Sequence, residues 1–326
     1  MEFTDRIFNI PNERTFNETA LKIFRLQYET NETYHQYVDA LGTDHSNITS
    51  FLQIPFIPIF FFITRMIKCG NKPAQKTFLS SGTTGTEKSK HPVIDLMVYK
   101  ESLLRGFEHF YGSPADYDIF ALMPSPDENP DSSLIFMVDE WIRQGSSELS
   151  GFYYRNHANL ARLLRQEDLS ARKRLIIGLS YALLDFTEFF QSSSLELIIM
   201  ETGGMKGKRK EMIREELHSL LTEKFGISPI HSEYGMTELL SQAYSKGNGR
   251  FHSPPWMKVL TRDPNDPLAL FPDEKTGCLN IIDLANFNSC SFIATEDLGK
   301  THEDGSFEVL GRFDSSAVRG CNLMLD

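Results

Sequence analysis

Ser80-Ser81-Gly82-Thr83-Thr84-Gly85-Thr86-Glu87-Lys88 is the stretch that decides how this chain is read. Its glycines let the backbone curl, its hydroxyl side chains supply donors, and Lys88 supplies a positive charge. Such a composition wraps around phosphate oxygens. Spacing excludes a P-loop, because the glycine needed just before the lysine is replaced by the carboxylate of Glu87.

Three later stretches carry related chemistry. In Ser232-Glu233-Tyr234-Gly235-Met236-Thr237-Glu238, Tyr234 offers a flat aromatic face, Thr237 a hydroxyl, and Glu238 a hard oxygen ligand. Ala294-Thr295-Glu296-Asp297 and Gly311-Arg312-Phe313-Asp314, followed by Arg319-Gly320, complete the series. In this order the four stretches resemble the motifs of the adenylate-forming superfamily, which includes acyl-CoA synthetases and firefly luciferase. The first matches at Ser81, Gly82, Thr83, Thr84, Gly85 and Lys88, and departs at Glu87 and Ser89 from the usual Pro and Gly. Glu296 replaces a usual glycine, which puts the turn before Asp297 in question.

The resemblance implies ATP and Mg²⁺ as cofactors. Gly82, Gly85 and Lys88 would manage the departing phosphates and Glu238 the metal. Tyr234, Gly235, Asp297 and Arg312 would hold the nucleoside, with Thr237 at the α-phosphate. It also implies a single adenylate-forming large domain over 1–326: a helical and extended segment (1–75), an α/β core (76–249) and a β-rich subdomain (250–326). Larger members continue past the hinge motif into a mobile lid with another lysine. This sequence ends at Asp326, so the expectation is a fold with the carboxyl-terminal lid absent.

The acyl-protein synthetase (LuxE-like) branch resembles more of the chain. Its likeness runs through Ile54-Pro55-Phe56-Ile57-Pro58, through Glu201-Thr202-Gly203-Gly204 ahead of a basic helix, through Glu233 to Leu239, and through Arg319-Gly320-Cys321-Asn322-Leu323. By that resemblance Gly203 and Gly204 join the nucleotide site. The acyl group, from a fatty acid or another carboxylic acid, passes to Cys321 and then to a protein acceptor such as a reductase or carrier. A thiolate attacks an acyl-adenylate readily, and Arg319 would favour the thiolate.

Independent of any resemblance, 326 residues with 40% hydrophobic content can bury a large core. The net charge of -11 argues against nucleic acid as a partner and demands local cations wherever phosphate binds. Four cysteines without paired short spacing fit neither a zinc site nor a disulfide framework, which points to a reducing cytoplasm. Phe51 to Ile63 is apolar but far too short to span a bilayer, and reads as a buried extended segment.

Apolar runs at Ile119–Met123, Leu175–Leu179 and Leu195–Met200 read as buried strands, and Lys208–Phe225 as an amphipathic helix. The amino-terminal pattern from Asn17 to Tyr37 reads as helix, and the proline-rich region after Arg250 as a β-rich subdomain. Two rival readings remain. Gly178-Leu179-Ser180 after an apolar strand is an incomplete nucleophile elbow, which would make Ser180 a hydrolase nucleophile. A nucleotide-binding but non-catalytic subunit is the other, favoured by the departures at Glu87, Ser89 and Glu296. His231 and Glu233 lack a third metal ligand at a recognisable spacing.

Overall fold

The computed structural model describes residues 2–81, 87–166, 170–191, 197–204 and 212–313. The amino-terminal pattern forms two helices, Glu13–Thr30 and Glu32–Ala40, where the sequence suggested one. Asn31 breaks it: its side chain accepts from Tyr34 N at 3.0 Å as the cap of the second helix, and its Nδ2 donates to Ser289 O at 2.9 Å. Gln27 Nε2 donates to Asn286 O at 3.1 Å and its Oε1 accepts from Ser291 N at 3.1 Å. These buried bonds sew the first helix onto the segment 286–291.

The segment Phe51 to Ile63 is not one extended stretch. It is a 3₁₀ turn (Phe51–Gln53), a two-residue strand β1 (Ile57–Pro58) and a helical turn (Phe61–Thr64), with Leu52 and Phe60 about half exposed. Pro55 and Pro58 lack the amide donors that a longer strand would need. Beyond it, β2 (Lys76–Leu79) and β3 (Lys90–Val93) pair antiparallel, with Ser80 and Ser89 next to the paired ends.

The apolar runs of the middle region become a six-stranded sheet: β4 (Tyr117–Leu122), β5 (Gly151–Phe152), β6 (Lys173–Leu179), β7 (Leu197–Thr202), β8 (His231–Tyr234) and β9 (Ala243–Ser245). Their order is β5-β4-β6-β7-β8-β9, parallel throughout except that β9 runs antiparallel to β8. β4 is buried along its whole length, as expected for a strand covered on both faces. Helices Leu96–Tyr111 and Ser133–Gly145, capped by the side chains of Asp95 and Ser132, pack together. Ser180–Phe186 packs on Arg214–Phe225, a helix that stops at Gly226 in a left-handed conformation (φ 71°).

After Ser245 the chain builds a second sheet from β10 (Arg250–Phe251), β11 (Met257–Arg262), β12 (Gly277–Asp283), β13 (Phe292–Thr301) and β14 (Phe307–Arg312). Its order is β10-β14-β13-β12-β11, antiparallel, and β1 pairs with β13 in parallel at Ile293 and Ala294. A bulge interrupts the β12–β13 ladder: Asn280 pairs with Ala294 and Cys278 with Leu298, so Thr295, Glu296 and Asp297 lie in a stretch longer than its partner. Among the described residues, no helix is long and apolar enough to cross a membrane.

Candidate functional site

The carboxyl ends of β7 and β8 open toward the second sheet, the edge where open α/β sheets bind ligands. β7 ends at Thr202 and runs into Gly203 and Gly204, both left-handed (φ 72° and 63°), a conformation that glycine adopts without strain. β8 ends at Tyr234 and runs into Gly235, where a Cβ would meet Glu233 Oε1 at 2.5 Å. Thr202 donates its hydroxyl to the same Glu233 carboxylate, so the ends of the two strands are tied together.

Tyr234, Asp297 and Arg312 meet across the two sheets. Tyr234 donates its hydroxyl to Asp297 Oδ2 at 2.7 Å, and Arg312 Nε lies 3.7 Å from Asp297 Oδ1 as its cross-strand partner. Burial pushes the Asp297 carboxyl up, against the pull of Tyr234, Arg312 and Arg214. Burial and the Asp297 charge likewise raise the Tyr234 phenol. The bulge removes the doubt over Glu296: its backbone is not left-handed, the Thr295 hydroxyl accepts from Asp297 N at 3.2 Å, and Glu296 O accepts from Phe313 N. No glycine is needed there. Replacing Tyr234 by Phe is expected to cost about 1–3 kcal/mol in denaturant unfolding, because it strands one oxygen of a buried carboxylate. A change below about 0.5 kcal/mol would show that Asp297 does not depend on that hydroxyl.

Glu238 is buried beside these groups, and burial raises its carboxyl above the usual range while Ser89, which donates to it, and Arg312 draw it down. Ser89 also joins the paired ends of β2 and β3: its N–H donates to Ser80 Oγ at 2.9 Å, and its carbonyl accepts from Ser80 N at 3.1 Å. Lys88 and Ser81, their sequence neighbours, are exposed. No acidic residue occurs between Asp44 and Glu87, so Lys76, Lys88 and Lys90 make this region locally positive in a chain of net charge -11. Gly82, Thr83, Thr84, Gly85 and Cys321 lie outside the described residues.

Sequence reasoning missed a cation. Arg214, at the start of its helix, places Nε 3.2 Å from Glu201 Oε1, donates through Nη1 to Val309 O at 2.8 Å, and covers the Phe251 ring at 4.8 Å. Burial alone would raise Glu201, but His218, Arg214 and Ser232 together bring it down to about 2. Arg214 also acts electrostatically on Tyr234 and Asp297. Its sequence neighbours Glu215 and Glu216 make it look like an ordinary helix-surface charge, and its partners lie 13 and 95 positions away. Only the basic character of the Gly203-Gly204 region pointed towards it.

The hydrolase reading of Ser180 does not survive the geometry. Ser180 is buried and donates to Glu201 Oε2 at 3.2 Å, and among the described residues no histidine is hydrogen-bonded to it. Gly178 is explained by packing, since a Cβ there would meet Leu122 Cβ at 2.9 Å. Cys278 and Cys290 are buried, and burial pushes both thiols up. His231 accepts from or donates to the Tyr111 hydroxyl at 3.0 Å, and burial lowers it to about 4.

Comparison with known proteins places this geometry. Residues 175–326 match the model of the family described as acyl-protein synthetase, LuxE. No curated protein matches the chain at a significant level. ATP-bound MatB from Rhodopseudomonas palustris superposes with a TM-score of 0.54 at 14% identity, over 72% of this chain and 47% of its own. An open conformation of 2-hydroxyisobutyryl-CoA ligase, in complex with 2-HIB-AMP and CoA, gives 0.67 at 12% identity, over 93% of this chain and 70% of its own. The same ligase in its thioesterification state gives 0.67 at 13%, over 95% and 71%. The chain thus spans about half the length of the first of these structures, and at such identities the likeness is one of fold. Residues 175–326, a little under half of the chain, are thus similar to the LuxE acyl-protein synthetase family, and the chain shares the α/β fold of these ligases.

Proposed function

We propose that the protein activates a carboxylic acid with ATP as an acyl-adenylate and passes the acyl group to a thiol, that of Cys321, and then to a protein acceptor. The observation that carries this reading is the convergence of Tyr234, Asp297, Arg312 and Glu238 beside Ser89, at the junction of the two sheets. Tyr234 and Asp297 would bind adenine and the ribose hydroxyls. Arg312 would help to hold the nucleoside where ribose meets phosphate, and Thr237 and Lys88, with Ser81, Gly82, Thr83, Thr84 and Gly85, would bind the phosphates.

A substrate carboxylate oxygen attacks the α-phosphorus, the bond from that phosphorus to the bridging oxygen breaks, and pyrophosphate leaves with the electron pair. In the second step the Cys321 thiolate attacks the acyl carbon, expels AMP and leaves a thioester. Fixed cations where charge develops are the main source of rate in such transfers.

Among the described residues, no group of three or more His, Cys, Asp and Glu side chains is placed to hold a metal. One buried carboxylate, Glu238, with phosphate oxygens and water completing the shell, fits Mg²⁺, which neutralises phosphate charge when bound. The resemblance to the LuxE family favours a fatty acid as substrate.

The test is intact-mass measurement of the full chain and of Cys321→Ser after incubation with ATP, Mg²⁺ and a panel of fatty and aromatic acids. A hydroxylamine-labile, ATP-dependent acyl gain on the first and not the second is expected. AMP release with no gain on either would remove Cys321 from the route. No AMP from any acid would favour the non-catalytic subunit.

A further inference from the structure

Glu238 and Thr237 are held in a frame that the sequence motifs do not contain. His91 on β3, two residues beyond Ser89, which directly precedes that strand, puts Nδ1 2.7 Å from Thr237 O and Nε2 3.0 Å from Asn286 Oδ1. Asn286 donates its Nδ2 to Glu238 O and to Cys290 O, each at 2.8 Å. Both donations fix the amide's orientation, so His91 faces two acceptors. Thr237 O is a carbonyl oxygen and can only accept, so the donor of that bond is the Nδ1 N–H; burial lowers His91 to about 4. Further along, the buried Asp283 carboxylate accepts from Leu240 N at 2.8 Å and from Ser241 N at 2.9 Å. The backbone from 237 to 241 is therefore clamped at both ends by buried side chains.

The link from this frame to the rest of the site is β3. Ser89 binds the Glu238 carboxylate through its side chain while its backbone bonds to Ser80. His91 binds the neighbouring carbonyl from β3. We infer that Ser89 and His91 are positioning residues for adenylation, a strut that sets the place of Thr237 and Glu238. The departure of Ser89 from the usual glycine thus becomes a specific contact: a glycine would leave the carboxylate without its donor. The inference rests on the adenylation reading.

The experiment uses the full chain and pairs of substitutions. His91→Leu removes the donor to Thr237 O, whereas His91→Asn keeps an N–H close to the Nδ1 position. Ser89→Ala removes the donor to Glu238, whereas Ser89→Thr keeps it. The expected results are kcat for AMP release about 100-fold lower in His91→Leu, within a few-fold of the parent in His91→Asn, and KM for the acid unchanged in both. Ser89→Ala is expected to raise the Mg²⁺ concentration for half-maximal rate by about 10-fold, and Ser89→Thr to leave it unchanged. A purely structural role would lower thermal stability in all variants without moving the metal requirement.

Amide hydrogen exchange gives a readout besides turnover. In the parent, Mg²⁺ with a non-hydrolysable ATP analogue should slow exchange across 236–241, and His91→Leu should lose that protection. Unchanged kcat and unchanged metal requirement in folded His91→Leu and Ser89→Ala would overturn the strut. If the parent forms no AMP with any acid, the adenylation reading fails, and equal protection of 236–241 in parent and His91→Leu then sinks the strut as well.

Discussion

Glu238→Gln is expected to lower acid-dependent AMP release by about 10²–10³-fold while leaving the protein as stable as the parent or more so. The two halves of this result have separate causes. Glutamine keeps the volume and can still meet the Ser89 hydroxyl, so packing is undisturbed. What disappears is the charge, which a divalent cation on the triphosphate needs from its protein ligand. Burial holds the Glu238 carboxyl above its ordinary range, which means that the folded state is the poorer host for the ionised form. At neutral pH ionisation therefore costs stability, and glutamine removes that cost. Thermal unfolding measured beside pyrophosphate exchange separates this from trivial unfolding. A glutamine variant with parental turnover would take Glu238 out of the site, and one that is inactive because it has lost stability would show that the carboxylate holds the fold instead.

The features legible in the sequence were those whose partners lie in one short run. Tyr234 ends β8 and Glu238 follows four residues later, and the buried strands announced themselves as continuous apolar stretches because a sheet covered on both faces has no polar side to show. The split of the first helix was hidden because Asn31 acts through bonds to Tyr34 and Ser289, and only the first is local. The same reason hides Asn286, His91 and Arg214: each is an ordinary polar residue until folding brings up partners 48, 146 and 95 positions away. Glu296 misled in the other direction. A missing glycine signals a forbidden turn only if the backbone there is left-handed, and the bulge in β13 reaches Asp297 by lengthening the strand. Phe51 to Ile63 illustrates the limit of composition, since its prolines cut a uniformly apolar run into three short elements.

Arg214→Ala should destabilise the protein by about 3 kcal/mol near pH 7, the cost typical of leaving one partner of a buried ion pair behind. Glu201 is 6% exposed and Arg214 23%, so water can replace the guanidinium only in part. The loss also opens the Val309 carbonyl and uncovers the Phe251 ring at the seam between the two sheets. The pH dependence identifies the cause. Glu201 titrates in the folded protein at about 2, below its ordinary carboxylate range, so the stability it confers is present at neutral pH and is lost as pH falls from about 4.5 towards 2. The gap between parent and variant should therefore be widest above pH 5 and narrow steadily on acidification. His218 and Ser232 remain beside Glu201 in the variant, so part of the lowering persists and the gap does not grow to the full worth of the carboxylate. Adding Glu201→Gln to Arg214→Ala should restore much of the loss, because the stranded charge is then gone. Denaturant unfolding of the four proteins of this cycle at several pH values is the measurement. A gap as wide at pH 3 as at pH 7, or a double variant no more stable than Arg214→Ala, would assign the effect to lost packing on Phe251 instead of to the ion pair.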